Sequence, residues 1–339
     1  MPAIFPAYVV ANPSFVMPEI VLQYSQASGF AEALAGGTVM PRLGEGDLYV
    51  YAKALELRTQ IAAGQTAYEA LPSVTVAAHM ASTPTYLMRA RAEYSHHDVQ
   101  QAGVWSVSLP EAQRLGMRQA TFQQTRTAAL FGMGGTNEGI ANTPGATAVN
   151  LPADTNGNTT ISTYDNGQLA LFFLGQISAL KTRTMLMGQG VRINILAPQR
   201  VLGSMEYQGV VQLTQFQRDG AGVATTVDMV KNIAARQGDT VTFTADDTLI
   251  GAGSGGADLI VLNMPEVNKP ATQSKINTNA FADLSPSLAA ATLQLSDMVA
   301  PREIQCPLPG GATDVVSEMR VTPGWTIRPE TLTLISANY

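Results

Sequence analysis

The chain of 339 residues is long enough for one large domain or for two to three smaller ones. Only 14% of its residues are charged, against an average of about 25%, so its surface is poor in charge and suits faces that are buried against neighbouring subunits. The net charge of −6 argues against broad electrostatic binding of nucleic acid, and the single cysteine, Cys306, excludes an intrachain disulfide and a zinc site built from cysteines alone.

The N-terminal segment, residues 1–45, is rich in proline and predicts an extended arm. The next stretch, DLYVYAKALELRTQIAAG at residues 47–64, has a moderately helical composition and predicts a helix that ends at Gly64.

Two strand-like runs, SVTVAAHM and TYLMRARAEY, follow within residues 72–94 and are separated by ASTP, a turn sequence. Alternation in the second run places Tyr86 and Met88 on one face, and Arg89 and Arg91 on the other. The pattern predicts a two-stranded ribbon with one charged face.

Two capping boxes come next. Ser95 with Asp98 predicts the start of a short helix. Ser108 with Glu111 predicts the start of a long helix over residues 109–131, which contain no proline after the first turn.

The long helix has a narrow apolar stripe, which is typical of a strut that contacts different partners along its length rather than of a core helix. Its arginines and those of the ribbon fit either salt bridges within the chain or contacts between subunits. The predicted contact residues on these two elements are Arg89, Arg91, Arg114, Arg118, Phe122 and Arg126.

A glycine-rich stretch, FGMGGTNEGIANTPG at residues 131–145, follows the long helix. A phosphate-binding loop would need a Lys-Ser or Lys-Thr pair and a helix directly after it, and this stretch has neither. The pattern therefore favours a joint in which glycine supplies positive φ and small size. The predicted joint residues are Gly132, Gly134, Gly135 and Gly139.

The second half of the chain alternates helical and strand-like patterns. The sequence predicts a helix over 167–184 capped by Asp165 or Asn166, a strand over 192–198, and helices over 199–207 and 225–236. Strands are predicted over 239–250 and 257–265, and the C-terminal region is rich in β-forming residues.

Gly251, Gly253 and Gly256 match the dinucleotide pattern G-x-G-x-x-G, but a strand follows them instead of the helix that a pyrophosphate needs. The pattern favours a hairpin turn between the two flanking strands.

Two other groups of polar residues lie close together in the sequence. His96, His97 and Asp98 fit a capped first turn better than a metal site, since adjacent helical residues point about 100° apart. The aspartates and the glutamate between residues 239 and 266 favour a solvated acidic face over a cation site. The apolar run LALFFL is too short to cross a bilayer, and the N-terminus lacks the pattern of a signal peptide.

Three passages together resemble the major capsid protein of tailed bacteriophages, the Hong Kong 97-type capsid fold shared with encapsulin shells. The run from Ala92 to Phe131-Gly132 resembles the family's passage from the E-loop through the spine helix. Gly139, Ile140 and Asn142 resemble its G-(I/L)-x-N joint, and RINILAPQRVLGSM resembles the strand and helix of its A-domain. The likeness covers roughly residues 90–205.

The resemblance implies an α+β chain with the family's domains. These are an N-terminal arm (1–45), an E-loop region (46–108), a P-domain with the spine helix and the joint (109–190), an A-domain (191–305), and C-terminal strands that return to the P- and A-domains (306–339).

The resemblance also implies a function. The chain would be a structural subunit that forms pentamers and hexamers in an icosahedral phage head, with separate scaffolding, portal and decoration proteins. The head would enclose double-stranded DNA without sequence-specific binding. We expect no catalytic residue, cofactor, metal or membrane, and a location in the virion, with assembly in the host cytoplasm.

Some relatives cross-link their subunits through a lysine of the E-loop, and the absence of lysine from residues 54–180 argues against that chemistry here. Two alternatives stay open at this point. One is an encapsulin-like nanocompartment shell, and the other is a soluble enzyme that uses His96 or Asp98.

Overall fold

The computed structural model describes residues 38–40, 46–58, 75–104, 108–133, 138–184, 190–207, 225–265, 293–296, 302–326 and 328–339. The described part mixes helices and strands, which confirms the α+β prediction. The helices are α1 (His96–Val104), α2 (Leu109–Phe131), α3 (Asn166–Arg183), α4 (Gln199–Tyr207) and α5 (Thr226–Arg236).

The described strands form four sheets. The strands are β1 (Thr38–Met40), β2 (Tyr49–Arg58), β3 (Thr75–Pro84), β4 (Tyr86–Ser95), β5 (Thr147–Asn150), β6 (Arg192–Ala197), β7 (Thr240–Ala245), β8 (Asp258–Asn263), β9 (Leu293–Ser296), β10 (Arg302–Pro307), β11 (Ala312–Val321), β12 (Trp325–Thr326) and β13 (Leu332–Ala337). Their orders are β1-β9-β12, β10-β11-β4, β5-β13-β8-β6-β7 and β2-β3.

The five-stranded sheet is the centre of the molecule. One face packs against α3, α4 and α5 through a cluster that includes Phe173, Val201 and Val230. The other face packs against the end of α2 and the segment after it, through Ala129 and Ile140. All residues of β8 are buried, as expected for a strand that is covered on both faces.

The three-stranded sheet β10-β11-β4 lies beside α2. Buried and half-buried residues alternate along β11, so one face is turned to the protein. On that face Met88 and Met319 pack with Ala128 of α2. This sheet and the central sheet therefore contact the same end of the long helix.

The predicted helix over 47–64 is wrong for residues 49–58, and residues 59–64 lie outside the described part. The pairing of the predicted ribbon is also wrong. Residues 49–58 form β2, which pairs with β3 in antiparallel register from Tyr49 opposite Pro84 to Arg58 opposite Thr75. The strand β4 pairs with β11 instead. The backbone hydrogen bonds between β2 and β3 therefore outweigh the helix propensity of AKALELR, because propensity contributes little free energy per residue.

The predicted hairpin between residues 239 and 265 is also wrong. β6 lies between β7 and β8, parallel to the first and antiparallel to the second. β8 is wholly buried, whereas β7 is mostly half-exposed, so the apolar run takes the central position and the polar run takes the edge. Gly251, Gly255 and Gly256 have positive φ in the connection.

The helix predicted over 109–131 is confirmed as α2, and the remaining helices begin or end within two residues of the predicted positions. Of the predicted arm, only β1 lies among the described residues. A search of the described helices finds none with the length and hydropathy of a membrane span.

Candidate assembly site

The last turn of α2 is capped by the glycine-rich joint and by a second segment near the C-terminus. The backbone N–H groups of Ile140 and Ala141 donate to the carbonyls of Ala129 and Leu130, at 3.0 and 2.8 Å. The N–H of Gly324 donates to Ala128 at 3.3 Å. These bonds satisfy carbonyl groups that a helix end otherwise leaves unpaired.

Gly139 lies so close to α2 that only a glycine fits. A Cβ built there would stand 2.2 Å from the carbonyl oxygen of Leu130. Asn142 fixes the approach, because its side chain accepts from the N–H of Gly139 at 2.8 Å and donates to the carbonyl of Phe131 at 2.9 Å. The Gly-Ile-x-Asn pattern is therefore a helix cap, with Ile140 buried beneath it.

Gly132 ends α2 in a conformation with φ of +78°, which favours glycine. Gly134 and Gly135 lie outside the described residues, and nothing is described of the Phe122 side chain. The role of the four glycines as a hinge stays a prediction.

The ribbon arginines of the prediction lie on β4, and both contact acidic residues of the same chain. Arg89 contacts Glu318 at 3.3 Å. Arg91 donates to Asp314 at 2.9 Å and to Glu93 at 3.3 Å, and its hydrogen bond and charge interaction with Asp314 raise its pKa.

Arg91 contacts two acidic residues, Glu93 and Asp314, that lie directly opposite each other on neighbouring strands. Like charges in that position destabilise a sheet, and the guanidinium between them offsets the repulsion.

Two arginines of α2 share one carboxylate. Arg114 and Arg118 lie 3.2 and 3.7 Å from Glu303 of β10, so they tie the helix to the edge of the three-stranded sheet. The interpretation as salt bridges within the chain thus holds for both residues, and contact with another subunit stays a prediction.

Three of the aspartates that were predicted to form a solvated acidic face are buried, so that prediction is wrong for them. Asp239, Asp246 and Asp258 are at most 3% exposed. Each receives a basic side chain from a helix: Lys181 of α3 reaches Asp239, Arg126 of α2 reaches Asp246, and Arg200 of α4 reaches Asp258.

Two of these aspartates also accept hydrogen bonds from backbone beside the strands of the central sheet. Asp239 accepts from the N–H of Val191 at 3.0 Å, and Asp258 accepts from that of Gly251 at 3.1 Å. A sequence signal existed, since Asp239 and Asp246 flank β7 and Asp258 begins β8, and a carboxylate at a strand end can accept free backbone N–H groups.

Arg200 and Asp258 form a bidentate pair, with Nε and Nη2 of the arginine on the two carboxylate oxygens at 2.7 and 2.5 Å. Burial works to raise the pKa of Asp258, but hydrogen bonds from Arg200 and Gly251 and the arginine charge outweigh it, so the pKa is lowered. The guanidinium also lies 4.8 Å from the ring centroid of Tyr339.

The root of the β2-β3 ribbon has one face fixed to the protein. Thr83 is buried, and its hydroxyl donates to Glu138 of the joint at 2.9 Å. Arg320 of β11 donates to the carbonyl of Asp47 at 2.9 Å and to the hydroxyl of Thr85 at 3.1 Å.

The opposite face of this root carries large apolar side chains in solvent. Tyr49, Tyr51 and Met80 are 55–63% exposed. We call these three residues the ribbon face. Sequence reasoning missed it because it predicted a helix here, although the tyrosines at 49 and 51 alternate as in a strand.

The histidine pair lies at the start of α1, where Ser95 and Asp98 form the predicted capping box. The rings of His96 and His97 are exposed, with centroids 6.2 Å apart, and His96 contacts Gln100 at 3.0 Å. Among the described residues, no group of three or more His, Cys, Asp or Glu side chains could hold a metal ion.

Solved structures of phage capsids share this arrangement. The capsid of Myoviridae phage XM1 matches with a TM-score of 0.67 and 14% identity, over 98% of this chain and 99% of that one. The capsid of cyanophage P-SCSP1u matches with a TM-score of 0.54 and 12% identity, over 97% and 94% of the two chains.

The mature capsid of bacteriophage PhiM1 matches with a TM-score of 0.53 and 12% identity, over 95% and 91%. No family model and no curated protein matches the sequence. The chain thus has the Hong Kong 97-type capsid fold over nearly its whole length.

Proposed function

We propose that the chain is a major capsid protein, a structural subunit that assembles into the icosahedral head of a tailed phage around double-stranded DNA. The observation that carries the proposal is the fold, which is shared over 98% of the chain with a capsid subunit. The same likeness favours a phage head over a nanocompartment shell or an enzyme.

In this proposal the chain divides as the family does, with one change. The arm (1–45), the P-domain (109–190), the A-domain (191–305) and the C-terminal strands (306–339) keep their predicted bounds. The E-loop is the β2-β3 ribbon from Tyr49 to Pro84, rather than a hairpin over 72–94.

The corrected ribbon contains a lysine. Lys53 lies in β2, so the absence of lysine from residues 54–180 does not exclude a lysine on the E-loop. A lysine cross-link between subunits is therefore compatible with this sequence.

The main contact between subunits is made by the ribbon face of one chain, which packs on an adjacent copy. The other side of the root is held by Thr83 and Arg320, so the ribbon face is the side that a neighbour reaches. Burial of each large apolar side chain contributes about 1.5–3 kcal/mol, and closed symmetry repeats that contact around the shell.

The remaining roles follow the family. The A-domain gathers at five-fold and six-fold axes, while separate scaffolding, portal and decoration proteins complete the head. The protein has no catalytic role, works in the virion, and assembles in the host cytoplasm.

Negative-stain electron microscopy of the purified chain tests the proposal. We expect shells, or rings of five and six subunits, for the native chain, alone or with co-expressed phage proteins. We expect their loss in Tyr51→Ser. The matched control is Leu171→Ser, which removes a side chain that is 69% exposed on α3.

A chain that stays a monomer of about 36 kDa under every condition would overturn the capsid proposal, since no shell subunit functions alone. Shells that form equally well in Tyr51→Ser would keep the capsid function but reject the ribbon face as its main contact.

A further inference from the structure

Asparagine is followed directly by glycine at two places in the chain, Asn156-Gly157 and Asn166-Gly167. At such a step the backbone nitrogen of the glycine reaches the asparagine side chain most easily, because glycine has no Cβ to hinder a close approach. An attack by that nitrogen replaces the side-chain amide with a carboxylate. The two steps have different local structures, so the fold decides which of them reacts.

The first step lies in an exposed turn. Thr155, Asn156 and Gly157 are all exposed, and the N–H of Gly157 closes the turn by donating to the carbonyl of Asp154 at 3.0 Å. Gly157 has φ of +83°. Since glycine adopts positive and negative φ about equally readily, the peptide between residues 156 and 157 can rotate at the loss of this hydrogen bond. That rotation frees the nitrogen of Gly157 to approach the Asn156 side chain.

The second step lies in the first turn of α3. The N–H of Gly167 donates to the capping carboxylate of Asp165 at 2.8 Å. The N–H of Leu169, whose side chain is fully buried, donates to the carbonyl of Asp165 at 2.8 Å. The same rotation after Asn166 would undo both the cap and the first helical turn, so the nitrogen of Gly167 stays engaged in the folded chain.

We propose that Asn156 is a modification site, at which the chain deamidates spontaneously through a cyclic imide. The nitrogen of Gly157 gives its proton to hydroxide and bonds to Cγ of Asn156, while the bond from Cγ to Nδ2 breaks and ammonia leaves with a proton from water. Water then opens the ring at either carbonyl, so the products are aspartate and isoaspartate. The net change consumes one water molecule and releases one ammonia. The site does not depend on the proposed function of the chain.

The modification adds a negative charge beside a carboxylate that organises this loop. Asp154 is buried, and it accepts from the N–H groups of Asn156 and Asn158 at 2.8 and 2.7 Å. Isoaspartate also lengthens the main chain at this position by one methylene group, which displaces those N–H groups. The loop holds α3 through two hydrogen bonds between Thr155 and Gln168, at 3.1 and 2.6 Å. We therefore expect the modification to loosen the start of α3.

Peptide mass spectrometry of the full chain tests the site. The folded protein is incubated at mildly alkaline pH in water enriched in heavy oxygen, which labels the acid that forms during the incubation. We expect Asn156 to convert at least about tenfold faster than Asn166 in the same molecules, because the exposed turn opens more readily than the helix. Both aspartate and isoaspartate should form. No conversion of Asn156 would overturn the proposal, and so would aspartate alone, since direct hydrolysis makes no isoaspartate.

Unfolding gives the matched control. In guanidinium chloride the turn and the helix are lost, so the two steps should convert at similar rates. A difference that persists there would place its cause in the neighbouring side chains and overturn the role of the turn. Gly157→Ala in the same denaturant should slow conversion of Asn156 by about tenfold, because the added Cβ hinders the attack. Unchanged conversion in this variant would count against the cyclic imide.

Discussion

Gly139 and Gly116 are both glycines beside or within α2, but their surroundings differ completely. A Cβ at Gly139 would meet the backbone of Leu130 at 2.2 Å, whereas a Cβ at Gly116 would meet nothing within 4 Å. A residue without a side chain is thus required at position 139, whereas at position 116 a substitution changes only the helix propensity.

We therefore expect Gly139→Ala to lower the free energy of unfolding by about 3 kcal/mol, because backbone atoms must shift to admit the methyl group. Gly116→Ala should raise it by about 0.5–1 kcal/mol, since glycine inside a helix is destabilising. Urea unfolding followed by circular dichroism measures both. A Gly139→Ala protein as stable as the native chain would contradict the close approach.

Asp258 gives the chain a stability that depends on pH. Its pKa is lowered in the folded protein, so the unfolded chain binds a proton more readily. The stabilisation is fully present above the unfolded value of about 3.9, and it is lost as the pH falls through the folded value.

We expect Asp258→Asn to destabilise the protein at pH 7 and to unfold like the native chain at a pH below the folded pKa of this carboxyl. Thermal unfolding over a pH series measures the difference between the two proteins. A difference that stays constant into the acid range would show that Asp258 acts by packing and neutral hydrogen bonds.

At the scale of elements, the sequence specifies best those whose signals are local. α2 follows from its first turn, its lack of internal proline and Gly132 at its end, and α3 follows from the cap at Asp165. β2 was missed because its partner β3 is distant in sequence. The order β8-β6-β7 was not predicted. It depends on which strand is buried on both faces of the sheet, and that is decided by packing between elements rather than by local sequence.

The candidate site divides in the same way. The Gly139-Ile140-Asn142 pattern marked the joint, and the structure adds the reason for each residue. The ribbon face could not be predicted while residues 47–64 were predicted to form a helix. The burial of the three aspartates could not be predicted either, because each is paired with a basic side chain from a helix that is distant in sequence.

The two predicted capping boxes provide a matched test at this scale. Ser95 and Asp98 exchange hydrogen bonds at 2.9 and 3.2 Å, whereas the Ser108 side chain makes no capping bond. We expect Ser95→Ala to cost about 1 kcal/mol of stability and Ser108→Ala only a few tenths. Urea unfolding compares them, and equal losses would count against the capping role of Ser95.

At the scale of the whole molecule, the proposed assembly requires forces that would hold neighbouring copies together. The arginines predicted to contact other subunits are engaged within the chain: Arg89 and Arg91 across strands, Arg114 and Arg118 on Glu303, and Arg126 on Asp246. The ribbon face is apolar, and the chain as a whole is poor in charge. Hydrophobic contact is therefore the dominant force that we expect between copies.

Salt separates this expectation from assembly through ion pairs. Raising ionic strength from 0.1 to 1 M shortens the Debye length from about 10 to about 3 Å, which weakens exposed charge contacts and leaves apolar burial intact. We expect the assembled fraction, measured by light scattering and counted in negative stain, to stay constant or rise over this range. Dissociation in 1 M salt would mean that the arginines leave their partners within the chain and pair with acidic residues of a neighbouring copy.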